Sequence, residues 1–155
     1  MGARQCDSEA MSLFPAMASI VLVPTVLFVC IENSFRSVMA EAFFNANAPR
    51  GWRAMSAGVE PRGVLSPKVV PLMGEVDLDV SKKVPQLVTG EMIRHAWRVV
   101  TFHCIDRCPA GAVRKNEDWS IPGATGKTEA QLQEIRNDVG RQVLDLISRL
   151  PKDAS

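Results

Sequence analysis

The chain has 155 residues, of which 46% are apolar and 23% are charged, and its formal net charge is +1. This length and balance are typical of one globular domain, which at this size buries about two thirds of its unfolded surface and needs no disulfide bonds. A charge so close to zero argues against nucleic acid or an anionic membrane as the main partner.

The N-terminal segment precedes the first predicted element. Residues 11–31 carry no charged side chain, and a run of this length could in principle cross a bilayer. Pro15 and Pro24 interrupt the run, its last third fits a core strand, and Asp7 and Glu9 spoil the basic flank that a signal peptide has. We therefore expect no membrane segment, a cytoplasmic protein, one domain over residues 25–155, and an extension over residues 1–24 that is either disordered or reflects a start assigned too early.

A strand, a loop and a helix open the predicted domain. Residues 25–30 (TVLFVC) form a continuous apolar run rich in β-branched and aromatic side chains, which is typical of a strand buried on both faces of a parallel sheet. A polar loop follows. Val38, Ala42 and Phe43 then recur near helical spacing, and Pro49 predicts the end of that helix.

The remaining elements alternate in type. In chain order we predict a strand over 52–59, a helix opened by Ser66 and Pro67, a short helix capped by Thr89, a strand over 97–102, a weak fourth strand near 112–114, and a final helix over 131–150. Strands that alternate with helices indicate a parallel sheet covered on both faces. In such sheets ligands bind at the carboxyl ends of the strands, which is where Cys30 falls.

The loop after the first strand has the pattern of an oxyanion site. Cys30 and Arg36 are separated by five residues between a strand and a helix, so backbone N–H groups can converge on one point and the helix adds its positive end. Arg36 supplies a planar fork for two oxyanion oxygens. A cysteine in this field is stabilised as the nucleophilic thiolate, and Ser37 can donate a hydrogen bond to it. The predicted oxyanion-binding residues are Ile31, Glu32, Asn33, Ser34, Phe35 and Arg36.

The spacing by itself is weak evidence. A cysteine and an arginine at this separation often occur by chance, and a cysteine at the end of a strand is usually an inert buried side chain. The position of the loop between a strand and a helix, with Ser37 directly after Arg36, favours the functional interpretation.

The sequence VLFVCIENSFRSVMAEAFFN resembles the opening of the low-molecular-weight tyrosine phosphatase superfamily, in its arsenate reductase branch. The resemblance covers residues 25–150 and continues through the Ser-Ala-Gly segment at Gly58, Ser66-Pro67, the Cys104 and Cys108 pair, and Gly126-Lys127. It implies an α/β three-layer sandwich with a four-stranded parallel sheet of flavodoxin-like topology, whose cysteine loop is the active site.

The resemblance also implies a redox relay. Cys30 attacks arsenate, Cys104 acts as the first resolving thiol, Cys108 acts as the second, and thioredoxin or a similar thiol donor reduces the resulting disulfide. Such exchange requires a nearby attacking thiolate and an accessible partner. Two alternatives remain for the late pair: bystander thiols, or a zinc site that includes His103, for which four well-spaced ligands are lacking.

The sequence departs from the family pattern at the general acid. Most members carry an Asp-Pro pair where this chain has Gly123 and Ala124, and that aspartate protonates the leaving oxygen. General acids typically contribute about 100- to 10,000-fold in rate, so a phosphatase without one is severely impaired. Glu117 or Asp118 could substitute if their loop folds inward, although both are equally consistent with solvated surface charges.

Some family members hold a structural potassium ion near the loop. Asn33, Glu41 and Ser56 match that arrangement, but Gln86 stands where an acidic ligand is expected, which predicts a weak or absent site. Taken together, the pattern predicts an arsenate reductase that is monomeric and has no cofactor. A low-molecular-weight phosphatase is the alternative enzyme, and an inactive module that binds oxyanions or a partner is the alternative from another class.

Overall fold

The computed structural model describes residues 24–151, which form a four-stranded sheet flanked by helices. The strands are β1 (Thr25–Cys30), β2 (Arg53–Gly58), β3 (Ala96–Thr101) and β4 (Asn116–Asp118). Every neighbouring pair is parallel, and the spatial order is β2-β1-β3-β4. The predicted parallel α/β sheet is confirmed, and the carboxyl end of β1 lies between two neighbours.

The helices are α1 (Arg36–Asn47), α2 (Val69–Gly74), α3 (Gly90–His95) and α4 (Glu129–Ser148), with short 3₁₀ turns at Ile105–Arg107 and Val113–Lys115. The Thr128 side chain accepts a hydrogen bond from the N–H of Gln131, whose own side chain accepts from the Thr128 N–H. This reciprocal capping satisfies two donors that have no partner within α4.

The two faces of β1 bury different clusters, because successive side chains of a strand point to opposite sides. Val26, Phe28 and Cys30 pack in the larger cluster together with side chains of α1 and α4. Leu27 and Val29 pack on the other side, in a smaller cluster that includes Ile93 of α3 and also Cys104. The central strand is therefore buried on both faces, as its apolar run predicts.

Two predicted elements differ from the structure. The fourth strand near 112–114 is wrong: that segment lies in and next to a 3₁₀ turn, and the strand is Asn116–Asp118. Its residues are polar and pair only with β3 at the edge of the sheet, so the apolar signature of a central strand is missing. The helix predicted to open at Ser66 begins at Val69, because Ser66 instead forms a turn in which its carbonyl accepts from the Val69 N–H.

No helix within residues 24–151 is long and apolar enough to span a membrane. The predicted extension over residues 1–24 lies almost entirely outside the described part of the chain, and its status stays a prediction.

The ring of Phe28 at the centre of the larger cluster allows a test of the core. It is fully buried and lies 6.2 Å from the ring of Phe44 and 5.8 Å from that of Trp119. We expect Phe28→Ala to lower the free energy of unfolding in urea by about 3–5 kcal/mol, because apolar burial is lost and a cavity remains. Leu144→Ala, on the exposed side of α4, is the matched control and should change it by less than about 0.5 kcal/mol. Similar losses for both variants would contradict this packing.

Candidate active site

The segment that follows β2 holds the backbone of the Cys30 loop. The carbonyls of residues 30, 31, 32 and 34 accept hydrogen bonds of 2.7–3.2 Å from the N–H groups of residues 59, 60, 62 and 66. Because each peptide unit is planar and trans, the N–H that follows such a carbonyl points to the opposite side. Asn33 has φ 51, a left-handed conformation that curls the loop. The N–H groups thus turned inward form an anion-binding nest.

Gly58, at the end of β2, permits this close approach. A Cβ atom at that position would lie 2.7 Å from the Ile31 carbonyl oxygen and 2.9 Å from the Asn33 nitrogen. Those distances are shorter than any normal van der Waals contact with a Cβ. Gly58 enters the sequence prediction only as part of the segment that resembles the family, so its steric role was missed.

Two hydrogen bonds reach the Cys30 sulfur. The Ser37 hydroxyl lies 2.9 Å from Cys30 Sγ, and the backbone N–H of Asn33 donates to the same sulfur at 3.2 Å. The Asn33 side-chain amide donates to Ser37 Oγ at 2.8 Å, which leaves the serine proton free to point at the sulfur. The structure thus brings Cys30, Asn33 and Ser37 together.

An open cavity of about 320 Å³ lies at the mouth of the loop. Its lining includes the predicted residues Cys30, Ile31, Glu32, Ser34, Phe35 and Arg36. Arg62, Ser66, Gly123, Ala124 and Thr125 line the remainder. Arg36 Nη1 donates to the Ile121 carbonyl at 3.1 Å, which holds the guanidinium beside this second group of residues. The cavity therefore combines a thiol, inward N–H groups and two guanidinium side chains.

The carboxylates near the site do not occupy the place of a general acid. Glu117 and Asp118 do not line the cavity. Burial raises the pKa of Glu117, but hydrogen bonds from Arg149 and Trp119 outweigh it, so that the pKa lies below its usual value. Asp118 accepts hydrogen bonds from the Thr101 hydroxyl at 2.6 Å and the His103 N–H at 2.8 Å. Both acids are thus structural residues of the sheet edge, whereas Gly123 does line the cavity.

Glu32 contributes the carboxylate among the lining residues. Its side chain is 52% exposed, lies 3.8 Å from Arg62, and accepts a hydrogen bond from the Ser34 hydroxyl at 3.4 Å. It therefore lies on the outer rim, where Arg62 offsets its charge, and an oxyanion can enter past it.

Cys104 lies behind the end of β1. Its Sγ donates at 3.3 Å to the carbonyl of Val29, the residue that precedes Cys30. It is fully buried in the smaller cluster, whereas Cys30 packs in the larger one, so the two thiols belong to opposite faces of the sheet. His103, with φ 63, joins the two faces, and its imidazole Nδ1 lies 3.1 Å from Asp118 Oδ2.

Cys108 follows Cys104 across the 3₁₀ turn. Its Sγ donates to the Cys104 carbonyl at 3.6 Å. The interaction with Cys108, together with burial, raises the pKa of the Cys104 thiol, while the neighbouring Cys104 thiol lowers the pKa of the half-buried Cys108. In this conformation Cys104 is thus held as a thiol, and Cys108 is the more easily ionised of the pair. Within residues 24–151, no group of three or more His, Cys, Asp or Glu side chains is arranged to hold a metal ion.

The predicted potassium ligands also meet in the structure. Asn33 Nδ2 donates to Ser56 Oγ at 3.0 Å, and Ser56 Oγ donates to Glu41 Oε1 at 2.6 Å. Lys83, which the sequence analysis did not single out, places its ammonium 3.2 Å from Glu41 Oε1. These residues do not fit a potassium ion, because a cationic side chain already contacts the carboxylate.

The site consists of a cysteine at the carboxyl edge of a parallel sheet, inside a backbone nest that an arginine completes. This arrangement defines a class of enzymes that attack tetrahedral oxyanions through a thiolate. Residues 25–155 match the family model for low molecular weight phosphotyrosine protein phosphatase, and the chain belongs to that family.

Its relatives include arsenate reductases. Arsenate reductase 2 of Staphylococcus saprophyticus is 34% identical over 123 residues, which are 77% of this chain and 92% of the relative. A solved arsenate reductase in the phosphate-binding state superposes with a TM-score of 0.75 and 27% identity, over 83% of this chain and 99% of that one. A thioredoxin-dependent arsenate reductase of Corynebacterium glutamicum gives 0.70 and 27% identity, over 90% of this chain and 71% of that one.

Gly58 provides a test of the loop geometry. We expect Gly58→Ala to displace the loop, because the new methyl group would overlap Ile31 and Asn33, and to lower the free energy of unfolding by about 1–3 kcal/mol. The reaction of the Cys30 thiol with iodoacetamide, measured by peptide mass spectrometry, should slow as its hydrogen bonds lengthen. Gly74→Ala is the control, since a Cβ there meets no atom within 4 Å. Equal stability and reactivity of the two variants would contradict the steric role.

Proposed function

We propose that this chain is an arsenate reductase that uses Cys30 as nucleophile and Cys104 and Cys108 as resolving thiols. The observation that carries the proposal is the hydrogen bond from the Cys104 thiol to the carbonyl directly before Cys30. A phosphatase needs one thiol, whereas a reductase needs further thiols close to it. The arsenate reductases among the relatives support the same assignment.

The first step is an attack on arsenic. Arsenate enters the nest with its oxygens toward the inward N–H groups and the Arg36 guanidinium, and the Cys30 thiolate attacks the arsenic atom. A sulfur–arsenic bond forms, and one arsenate oxygen leaves as hydroxide, which is protonated to water. Ser37 and the Asn33 N–H stabilise the thiolate before attack. Arsenate oxygens exchange readily with solvent, so this step tolerates the lack of a carboxylate at Gly123.

The second and third steps move two electrons. Cys104 attacks the Cys30 sulfur, the sulfur–arsenic bond breaks, and its electron pair stays on arsenic, which leaves as arsenite. Cys108 then attacks Cys104, closes a disulfide with it, and releases the Cys30 thiolate. One disulfide formed for each arsenic reduced balances the electrons. A dithiol donor of the thioredoxin type would reduce that disulfide, as the name of the Corynebacterium relative states for that protein.

The relay requires the segment after β3 to move. Cys30 and Cys104 pack in different clusters, and the Cys104 thiol is bonded to the Val29 carbonyl, so it has to leave that place before it can attack the Cys30 sulfur. His103 lies between the two faces in a left-handed conformation that is uncommon outside glycine. We infer that rotation at this residue carries Cys104 from its place beneath Val29 toward Cys30.

A monomeric state and a cytoplasmic location stay predictions.

Arsenite release in the presence of thioredoxin, thioredoxin reductase and NADPH tests the proposal. Cys30→Ser should abolish release, because the nucleophile is lost. Cys104→Ser should also abolish it, because arsenic stays bound as an adduct. Cys108→Ser should release about one arsenite per enzyme and then stop, because the first disulfide can still form.

Cys6→Ser is the matched control, since this fourth cysteine has no role in the relay, and it should turn over like the wild type. Full turnover of Cys104→Ser, or no arsenite from the wild type, would contradict the proposed reductase.

Phosphomonoester hydrolysis is the second candidate function, because the same nest accepts phosphate. We expect it to be slow for poor leaving groups, since Gly123 and Ala124 occupy the part of the cavity where an acid is needed. A Cβ at position 123 meets no atom within 4 Å, so a side chain can be added. Gly123→Asp should therefore raise phenyl phosphate hydrolysis by about 10- to 100-fold.

The gain should disappear as the pH rises and the new acid loses its proton. Gly123→Asn has the same size without an acidic proton and should not show it. Fast phenyl phosphate hydrolysis by the wild type would instead favour a phosphatase.

A further inference from the structure

Lys83 lies at the centre of a polar network behind the nest. Its ammonium contacts Glu41 Oε1 at 3.2 Å and donates to the Ser56 carbonyl at 3.0 Å. The Lys83 side chain is only 15% exposed, and that of Glu41 22% exposed, so solvent screens the pair less than a surface ion pair. Lys82, the neighbouring residue, is exposed.

The oxygens around this ammonium already accept hydrogen bonds. The Ser56 carbonyl, which has two lone pairs, accepts from Lys83 Nζ and from Gln86 Nε2, both at 3.0 Å. The Asn33 side-chain oxygen accepts from the Gln86 N–H at 2.9 Å. A potassium ion needs several such oxygens in place of its hydration shell. None of these oxygens lacks a donor, so a bound ion would first have to displace the lysine.

The network ends at the nucleophile. Glu41 accepts from Ser56, Asn33 donates to both Ser56 and Ser37, and Ser37 lies 2.9 Å from Cys30 Sγ. Asn33 is also the left-handed residue of the nest. The ammonium neutralises the only carboxylate in this chain of contacts. Without the ammonium, the Glu41 carboxylate would keep its charge with one serine as partner. A nearly buried carboxylate without a cationic partner is costly in free energy.

We propose that Lys83 is the resident cation of this site: a positioning residue that fixes Glu41 and Ser56, and through them Asn33 and the nest, so that the loop needs no bound monovalent cation. This inference rests on Cys30 being the nucleophile of the proposed function. The network makes Lys83 distinct from Lys82, although the two are adjacent in the sequence and carry the same charge.

Alkylation of Cys30 is a suitable readout, because it requires neither arsenate nor a reductant. The rate with iodoacetamide is measured on the Cys30 peptide by mass spectrometry, at one pH and equal ionic strength, in potassium chloride and in choline chloride. The proteins are the wild type, Lys83→Met, Lys83→Arg and the matched control Lys82→Met. A melting curve for each protein in each salt shows that it is folded.

The wild type and Lys82→Met should react at the same rate in both salts. Lys83→Met should react about three- to tenfold more slowly in choline, because weakened hydrogen bonds stabilise the thiolate less. Potassium should restore much of its rate and raise its melting temperature. An open cavity of about 360 Å³, lined by Glu41 and Lys83 among others, gives ions access to the vacated place. Lys83→Arg keeps the charge and should stay close to the wild type.

Three results would overturn the proposal: saturable acceleration of the wild type by potassium, Lys83→Met as reactive as Lys82→Met in choline, or no response of Lys83→Met to potassium. If Lys83→Met fails to fold, the wild-type salt response and the Lys83→Arg rate still decide. Absence of arsenite turnover alongside the expected alkylation pattern would contradict the reductase assignment and leave the role of Lys83 intact.

Discussion

The hydrogen bonds that draw the loop carbonyls outward are the constraint on which the site depends. Because the N–H groups of the segment after β2 donate to these carbonyls, the peptide units of the loop turn their own N–H groups toward the cavity. The helix that starts at Arg36 adds its positive end in the same direction. Gly58 makes the approach sterically possible. The chemistry of Cys30 is therefore set largely by backbone geometry, with side chains refining it.

The sequence predicts the central parts of this molecule better than its edges. The apolar run of β1 and the regular spacing of α4 identify both elements, because burial leaves a periodic signal. The nest follows from Cys30 and Arg36 at their spacing. The edge strand at 116–118 carries no such signal, since its residues are polar and half exposed. Lys83 could not be predicted either, because its partner Glu41 is 42 positions away in the sequence and only the fold brings them together.

Substrate choice in this family member follows from what lines the cavity opposite the thiol. Gly123, Ala124 and Thr125 provide no proton donor of carboxylate strength, while Glu117 and Asp118 are bound to neighbouring residues at the sheet edge. A substrate whose leaving oxygen is easily protonated by water loses little in such a site. An ester with a poor leaving group loses much of the rate that a general acid contributes.

The placement of Cys30 and Cys104 in different apolar clusters has a consequence for the resting enzyme. Two neighbouring thiols in an oxidising environment close a disulfide without any substrate, and each idle cycle would consume cellular reducing power. Here the second sulfur is enclosed in an apolar cluster and bonded to the Val29 carbonyl. Oxidants that enter the cavity therefore meet the Cys30 thiol alone, because Cys30 is the one cysteine of the described residues that lines it.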